Sequence, residues 1–130
     1  MLGSVRYQIR INRDPEDVWK IVGDVGNLAD WFPDFASSSL EGTIRTITTN
    51  NGTSLDEEIL IVDPLLRRIS YRLTLPLLKY HRGIVDVLDI EDGTSLVLYT
   101  TESDPRSLSL GIGAATHRAL KELKRQMEEN

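Results

Sequence analysis

Two periods run through the chain. Up to about residue 101 apolar and polar side chains mostly alternate, and from 104 to 129 apolar positions recur every three or four residues. Val5, Tyr7, Ile9 and Ile11 alternate with Arg6, Gln8, Arg10 and Asn12, which predicts a half-buried first strand. Asp14-Pro15-Glu16-Asp17 then carries helix-start chemistry: a side chain that can accept from the first free N–H groups, proline at the first helical position, and acids where the helix dipole favours them. Val18, Trp19, Ile21 and Val22 give this helix a short apolar face, and Gly23 is its natural stop. A second short helix is predicted over 26–31, ended by Pro33.

From there the period is two. Residues 40–49, broken by Gly42, predict two short strands or one bent one, and Asn50-Asn51-Gly52 is a hairpin turn because Asn and Gly tolerate the positive φ it needs. Further strands are predicted over 55–62, 69–75, 80–90 and 96–101, with turns at Asp63-Pro64 and Glu91-Asp92-Gly93. The last helix is predicted to open at Asp104-Pro105. Leu108, Ile112, Ala115, Ala119, Leu120, Leu123 and Met127 form its apolar stripe. Gly111 and Gly113 each cost about 1 kcal/mol there relative to Ala. Either they permit close helix–sheet packing, or they leave room for a ligand. The order of elements predicts an α+β fold, an antiparallel meander curved around a long C-terminal helix, with two short helices after strand 1.

Composition narrows the function. The 130 residues suit one domain with a single core spanning 1–130. The net charge is -5 and Lys and Arg form no stripe, which argues against nucleic acid. No apolar run approaches the ~20 residues of a membrane span, and residues 1–10 read as a strand rather than a signal peptide. Without cysteine there is no disulfide, thiol nucleophile or thiolate metal site, and a cytoplasmic location is the default. Two histidines, His81 and His117, are too few for a histidine metal centre, so neither metal nor cofactor is expected.

Asp14-Pro15-Glu16-Asp17-Val18-Trp19 followed by Gly23-Asp24-Val25-Gly26-Asn27-Leu28-Ala29-Asp30-Trp31 resembles the opening of the SRPBCC superfamily. That superfamily holds the helix-grip proteins of the Bet v 1, START and polyketide cyclase/dehydrase-like families. The likeness continues through Gly42-Thr43-Ile44-Arg45, Gly52, Glu58-Ile59-Leu60 with Asp63, Ser70-Tyr71 and Tyr80. It implies a seven-stranded antiparallel sheet gripping the last helix, with a hydrophobic cavity between them. The pattern also resembles plant abscisic-acid receptors. That likeness implies a pocket carboxylate at Glu58, and pocket positions at Tyr71, Tyr80, Arg82, Tyr99, Ala115 and Ala119. Asn50-Asn51-Gly52-Thr53-Ser54 replaces the receptors' gate loop and Leu75-Pro76-Leu77-Leu78 their latch. Asp34 stands near the position of their ligand-pairing lysine. These departures argue against that hormone.

Alternation leaves two faces for the strand over 55–62. One holds Asp56, Glu58, Leu60 and Val62, and the other Leu55, Glu57, Ile59 and Ile61. Apolar count favours burying the second set. The resemblance implies the first, with Glu58 inward and Arg82 as its partner. Asp86 shares the phase of Tyr80 and Arg82 and is expected inward too, whereas His81 is expected outward. Trp31 is expected to cap the core or form the cavity mouth. These residues suggest a binder of a small hydrophobic molecule, lipid-, polyketide- or isoprenoid-like. A cyclase or dehydratase using Glu58 or Asp86 as acid/base is the alternative. A homodimer paired through an outward Ile59 and Ile61 is a third reading.

Overall fold

The computed structural model describes residues 1–129. Strand β1 (Gly3–Ile11) leads into helix α1 (Pro15–Val22) and a 3-10 helix (Val25–Asp30). Six strands follow: β2 (Phe35–Glu41), β3 (Ile44–Thr49), β4 (Ser54–Asp63), β5 (Arg68–Leu73), β6 (Tyr80–Asp89) and β7 (Ser95–Asp104). Helix α2 (Leu108–Glu129) ends the chain's described part. The seven strands form one antiparallel sheet in the order β1-β7-β6-β5-β4-β3-β2. This is the helix-grip arrangement: a curved meander whose first strand returns to pair with its last, packed against a long helix.

Helix α2 lies over β1 and β7. Leu120, Leu123 and Met127 from α2 meet Ile11, Val18, Val22, Val85, Val87 and Val97 in the core. Its C-terminal end is tied to the start of the chain. Lys124 donates to the Arg10 carbonyl at 2.7 Å, and Arg13 donates to the Met127 carbonyl at 2.9 Å. Midway along, Arg118 grips Asp34 at 2.7 Å, and its guanidinium holds that carboxyl below the usual range.

Three expectations change. Asp104 does not open α2. It is the last residue of β7, opposite Tyr80, and its carbonyl accepts from Lys79, so the helix begins only at Leu108. The N-terminal half of α2 is also rotated from the predicted stripe. Ser109, Gly113 and Thr116 are buried, while Leu108, Ile112 and Ala115 are only half-buried. The reason is contact: a Cβ on Gly113 would lie 2.9 Å from Val5 Cγ1, so the backbone approaches β1 more closely than any side chain permits. Finally, a register shift between Ile59 and Ile61 breaks the alternation of β4. Ile59 packs on the core and Ile61 stays outside, so the pair does not form the outward stripe expected of a dimer.

Candidate functional site

The inner face of the sheet carries a polar cluster inside an otherwise apolar core. Arg45 on β3 stands opposite Glu57 on β4, and the two are 0% and 5% exposed. Arg45 Nε donates to Glu57 Oε1 at 2.8 Å, Nη2 lies 2.6 Å from the same oxygen, and Nη1 donates to the Val25 carbonyl at 3.0 Å. The guanidinium sits over the Tyr71 ring, 4.8 Å from its centre. The Tyr71 hydroxyl meets that of Tyr99 at 2.6 Å, with the rings edge to face. Trp31 and Phe32 close the cluster against Tyr99. Burial pushes the Glu57 carboxyl above its ordinary value, opposed by the charge of Arg45. Burial likewise pushes both phenols up, so Tyr71 and Tyr99 remain neutral hydroxyls.

His81 extends this cluster along β6. It is 5% exposed, and its Nδ1 accepts from the Leu73 N–H at 2.8 Å. Burial, then the nearby Arg82 charge, lowers its pKa to about 4, so the ring is neutral near pH 7. With Nδ1 accepting, the proton of the neutral ring sits on Nε2. That atom has no hydrogen-bond partner, nor has Thr101 Oγ1, and both are buried. Thr101 stands opposite Gly83 on the same inner face, one diagonal from His81. Gly83 is fixed by the cluster as well, since a Cβ there would collide with the Tyr71 ring.

Trp31, Tyr71, Tyr99 and Ala119 lie inside, and Ala115 is half-buried against the core. Glu58, Tyr80, Arg82 and Asp86 do not join them. Glu58 pairs with Arg72 on the outer face at 2.7 Å, and Asp86 pairs with Arg68 there at 2.6 Å. Tyr80 donates to Glu102 at 3.5 Å. The inner set of β6 is instead His81, Gly83, Val85 and Val87. Burying it supplies two valines to the core, whereas the opposite phase would bury Arg82 and Asp86 together. On β4 the apolar count is the better guide: Glu57, not Glu58, faces in. His117 sits at the helix edge, stacked on Tyr7 with ring centres 4.3 Å apart.

A cleft of about 310 Å³ lined by Leu73, Leu75, Leu78, Tyr80 and His81 opens at the β5–β6 connection. Another, of about 190 Å³, opens beside Trp31 and Phe32. Among the described residues, no group of three or more His, Asp or Glu is placed to hold a metal ion, and no helix is long and apolar enough to cross a membrane.

A meander gripping a terminal helix around a buried polar cluster defines a helix-grip protein of the SRPBCC superfamily. Within it, residues 3–128 match the family described as polyketide cyclase / dehydrase and lipid transport, and the chain belongs to that family. No curated protein sequence matches the chain. Among solved structures it resembles XoxI from Bacillus cereus, with a TM-score of 0.86 and 21% identity over 96% of this chain and 95% of that one. It also resembles the Zhui aromatase/cyclase of a Streptomyces species, with a TM-score of 0.82 and 16% identity over 98% and 94%. Norcoclaurine synthase from Thalictrum flavum gives 0.75 and 17% over 99% and 96%. At these identities the likeness speaks for the fold alone.

Proposed function

We propose that the protein binds one small, mainly apolar molecule between α2 and the inner face of the sheet. The observation that carries this is the pair of buried, unpartnered polar atoms, His81 Nε2 and Thr101 Oγ1. Buried polar groups are nearly always hydrogen-bonded, and each one left unmade costs about 1–3 kcal/mol. Two such atoms on one face suit a ligand with a carbonyl or hydroxyl at one end and a ring or chain at the other. The Tyr71–Tyr99 hydroxyl pair and the Arg45–Glu57 pair complete the polar end. The cleft at the β5–β6 connection reaches His81 and is the route in. The family and its cyclase neighbour add a second reading, in which buried Glu57, with its raised pKa, rather than Glu58 or Asp86, moves a proton on the bound molecule.

Titration with 1-tetralone, a neutral aromatic ketone, followed by NMR, tests the binding reading. Saturable shifts are expected at His81, Thr101 and Tyr99. Thr101→Val removes an orphan hydroxyl, so the free protein keeps its stability while affinity drops roughly fivefold, for about 1 kcal/mol of hydrogen bond. Shifts confined to the surface, or unchanged affinity in Thr101→Val, would sink this reading.

A further inference from the structure

The outer face of the sheet holds a second unsatisfied polar site. Ser70 is 3% exposed although it points away from the core, since its neighbours Ile69 and Tyr71 both face inward. Its Oγ has no partner, and neither has the buried Nε of Arg82. Ser70 stands opposite Ile84, and Arg82 lies two residues before Ile84 on the same face, so the two side chains are diagonal neighbours. Both line one groove of about 240 Å³, together with Ile61, Ile84, Tyr80 and Glu102.

The charges around this groove are unevenly matched. Arg68, at its rim, is neutralised by Asp86, and Arg72 by Glu58. Glu102 stands opposite Arg82 in the ladder, yet it accepts from the Tyr80 hydroxyl instead. Among the described residues Arg82 enters none of the ion pairs. Its guanidinium lies 5.9 Å from the centre of the Tyr80 ring, a contact that orients it but supplies no acceptor. A partly buried guanidinium needs an oxygen in its plane.

We propose that this groove binds a small amphipathic monocarboxylic acid. The carboxylate accepts from Arg82 Nε and from the Ser70 hydroxyl, and the hydrocarbon part lies against Ile61, Ile84 and the Tyr80 ring. One free cation, with Glu102 close by, matches a single negative charge better than the double charge of a phosphate monoester. The volume falls below the ~300–1,000 Å³ of ordinary ligand pockets, so the acid is short.

Hexanoate is the probe, with 1-hexanol and inorganic phosphate as controls, read through the Arg82 Nε–Hε and Ser70 amide signals of the intact protein. Hexanoate should shift both signals saturably, and 1-hexanol and phosphate should bind at least tenfold more weakly. Arg82→Gln should reduce hexanoate affinity about tenfold or more. Ser70→Ala, a smaller change, should reduce it several-fold even if Arg82→Gln fails to fold. Ser70→Ala should leave the 1-tetralone shifts at His81 and Thr101 unaltered, which separates this site from the interior one. The proposal is overturned if hexanol binds as well as hexanoate, if both variants bind normally, or if the shifts fall only on interior residues. A crystal structure with Arg82 paired to Glu102 would equally overturn the proposal.

Discussion

Removing either Arg45 or Glu57 leaves the other's charge uncompensated where water does not reach. Arg45→Met alone is therefore expected to cost about 3–5 kcal/mol, and so is Glu57→Leu alone. The double replacement should recover most of that loss, because two apolar side chains need no partners. Denaturant midpoints of the four proteins, taken as a double-mutant cycle, measure the coupling. Near-additive losses would mean that the two charges do not depend on each other. This pair was legible in the sequence, though by a route the resemblance obscured. The Asn50-Asn51-Gly52 turn fixes the β3–β4 register at Thr48 opposite Ser54, and counting back from there places Arg45 opposite Glu57. Apolar Ile47 shares the phase of Arg45 and assigns that face to the core. Transferring Glu58 from a distant family put the carboxylate one residue out, which on a strand means the opposite face. Nothing in the sequence marked His81 as interior except its phase with Val85 and Val87.

Among elements, α2 divides its two glycines between different duties. Gly113 is pressed on Val5, whereas a Cβ on Gly111 would meet nothing within 4 Å. Gly111→Ala should therefore stabilise the protein by roughly 0.5–1 kcal/mol through helix propensity. Gly113→Ala should gain nothing or lose stability, since Val5 must move. Thermal melts of the two variants give the comparison, and an equal gain at both sites would contradict the close approach described here. The strands and helices were legible because period two and the 3.6-residue period differ plainly over this length. The start of α2 was not, because Asp-Pro serves a helix cap and a strand end equally well, and only pairing with β6 decides which. The early part of β2 was missed because Phe35, Ala36 and Ser37 alternate too weakly to show a period.

For the whole molecule, acid stability follows from where protons bind. Unfolded, His81 takes a proton near its ordinary 6.5; folded, it does so only at about 4. Between those values the unfolded chain holds more protons, so stability is full above 6.5 and falls as the pH drops towards 4. The loss from this one ring is about 3 kcal/mol. Glu57, whose pKa is raised, acts in the opposite sense and offsets part of it. Glu122, held at about 2 by hydrogen bonds from Arg125 and Gln126, gives up its contribution only in stronger acid. Denaturation midpoints from pH 7.5 to 4 should slope downward in the native protein and more weakly in His81→Asn; parallel slopes would show that the ring does not titrate as described. The order of the sheet has a consequence for how the protein is made. Gly3 pairs with Ser103, a hundred residues later. At about 5–20 residues per second, a ribosome takes roughly 5–20 s to cover that interval. Throughout it the first strand has no neighbour, and α2, which covers β1 and β7, is the last described segment to emerge. The nascent chain thus carries its apolar face uncovered until β7 and α2 have been made, so that interval, more than the finished fold, is when the face lies open to aggregation.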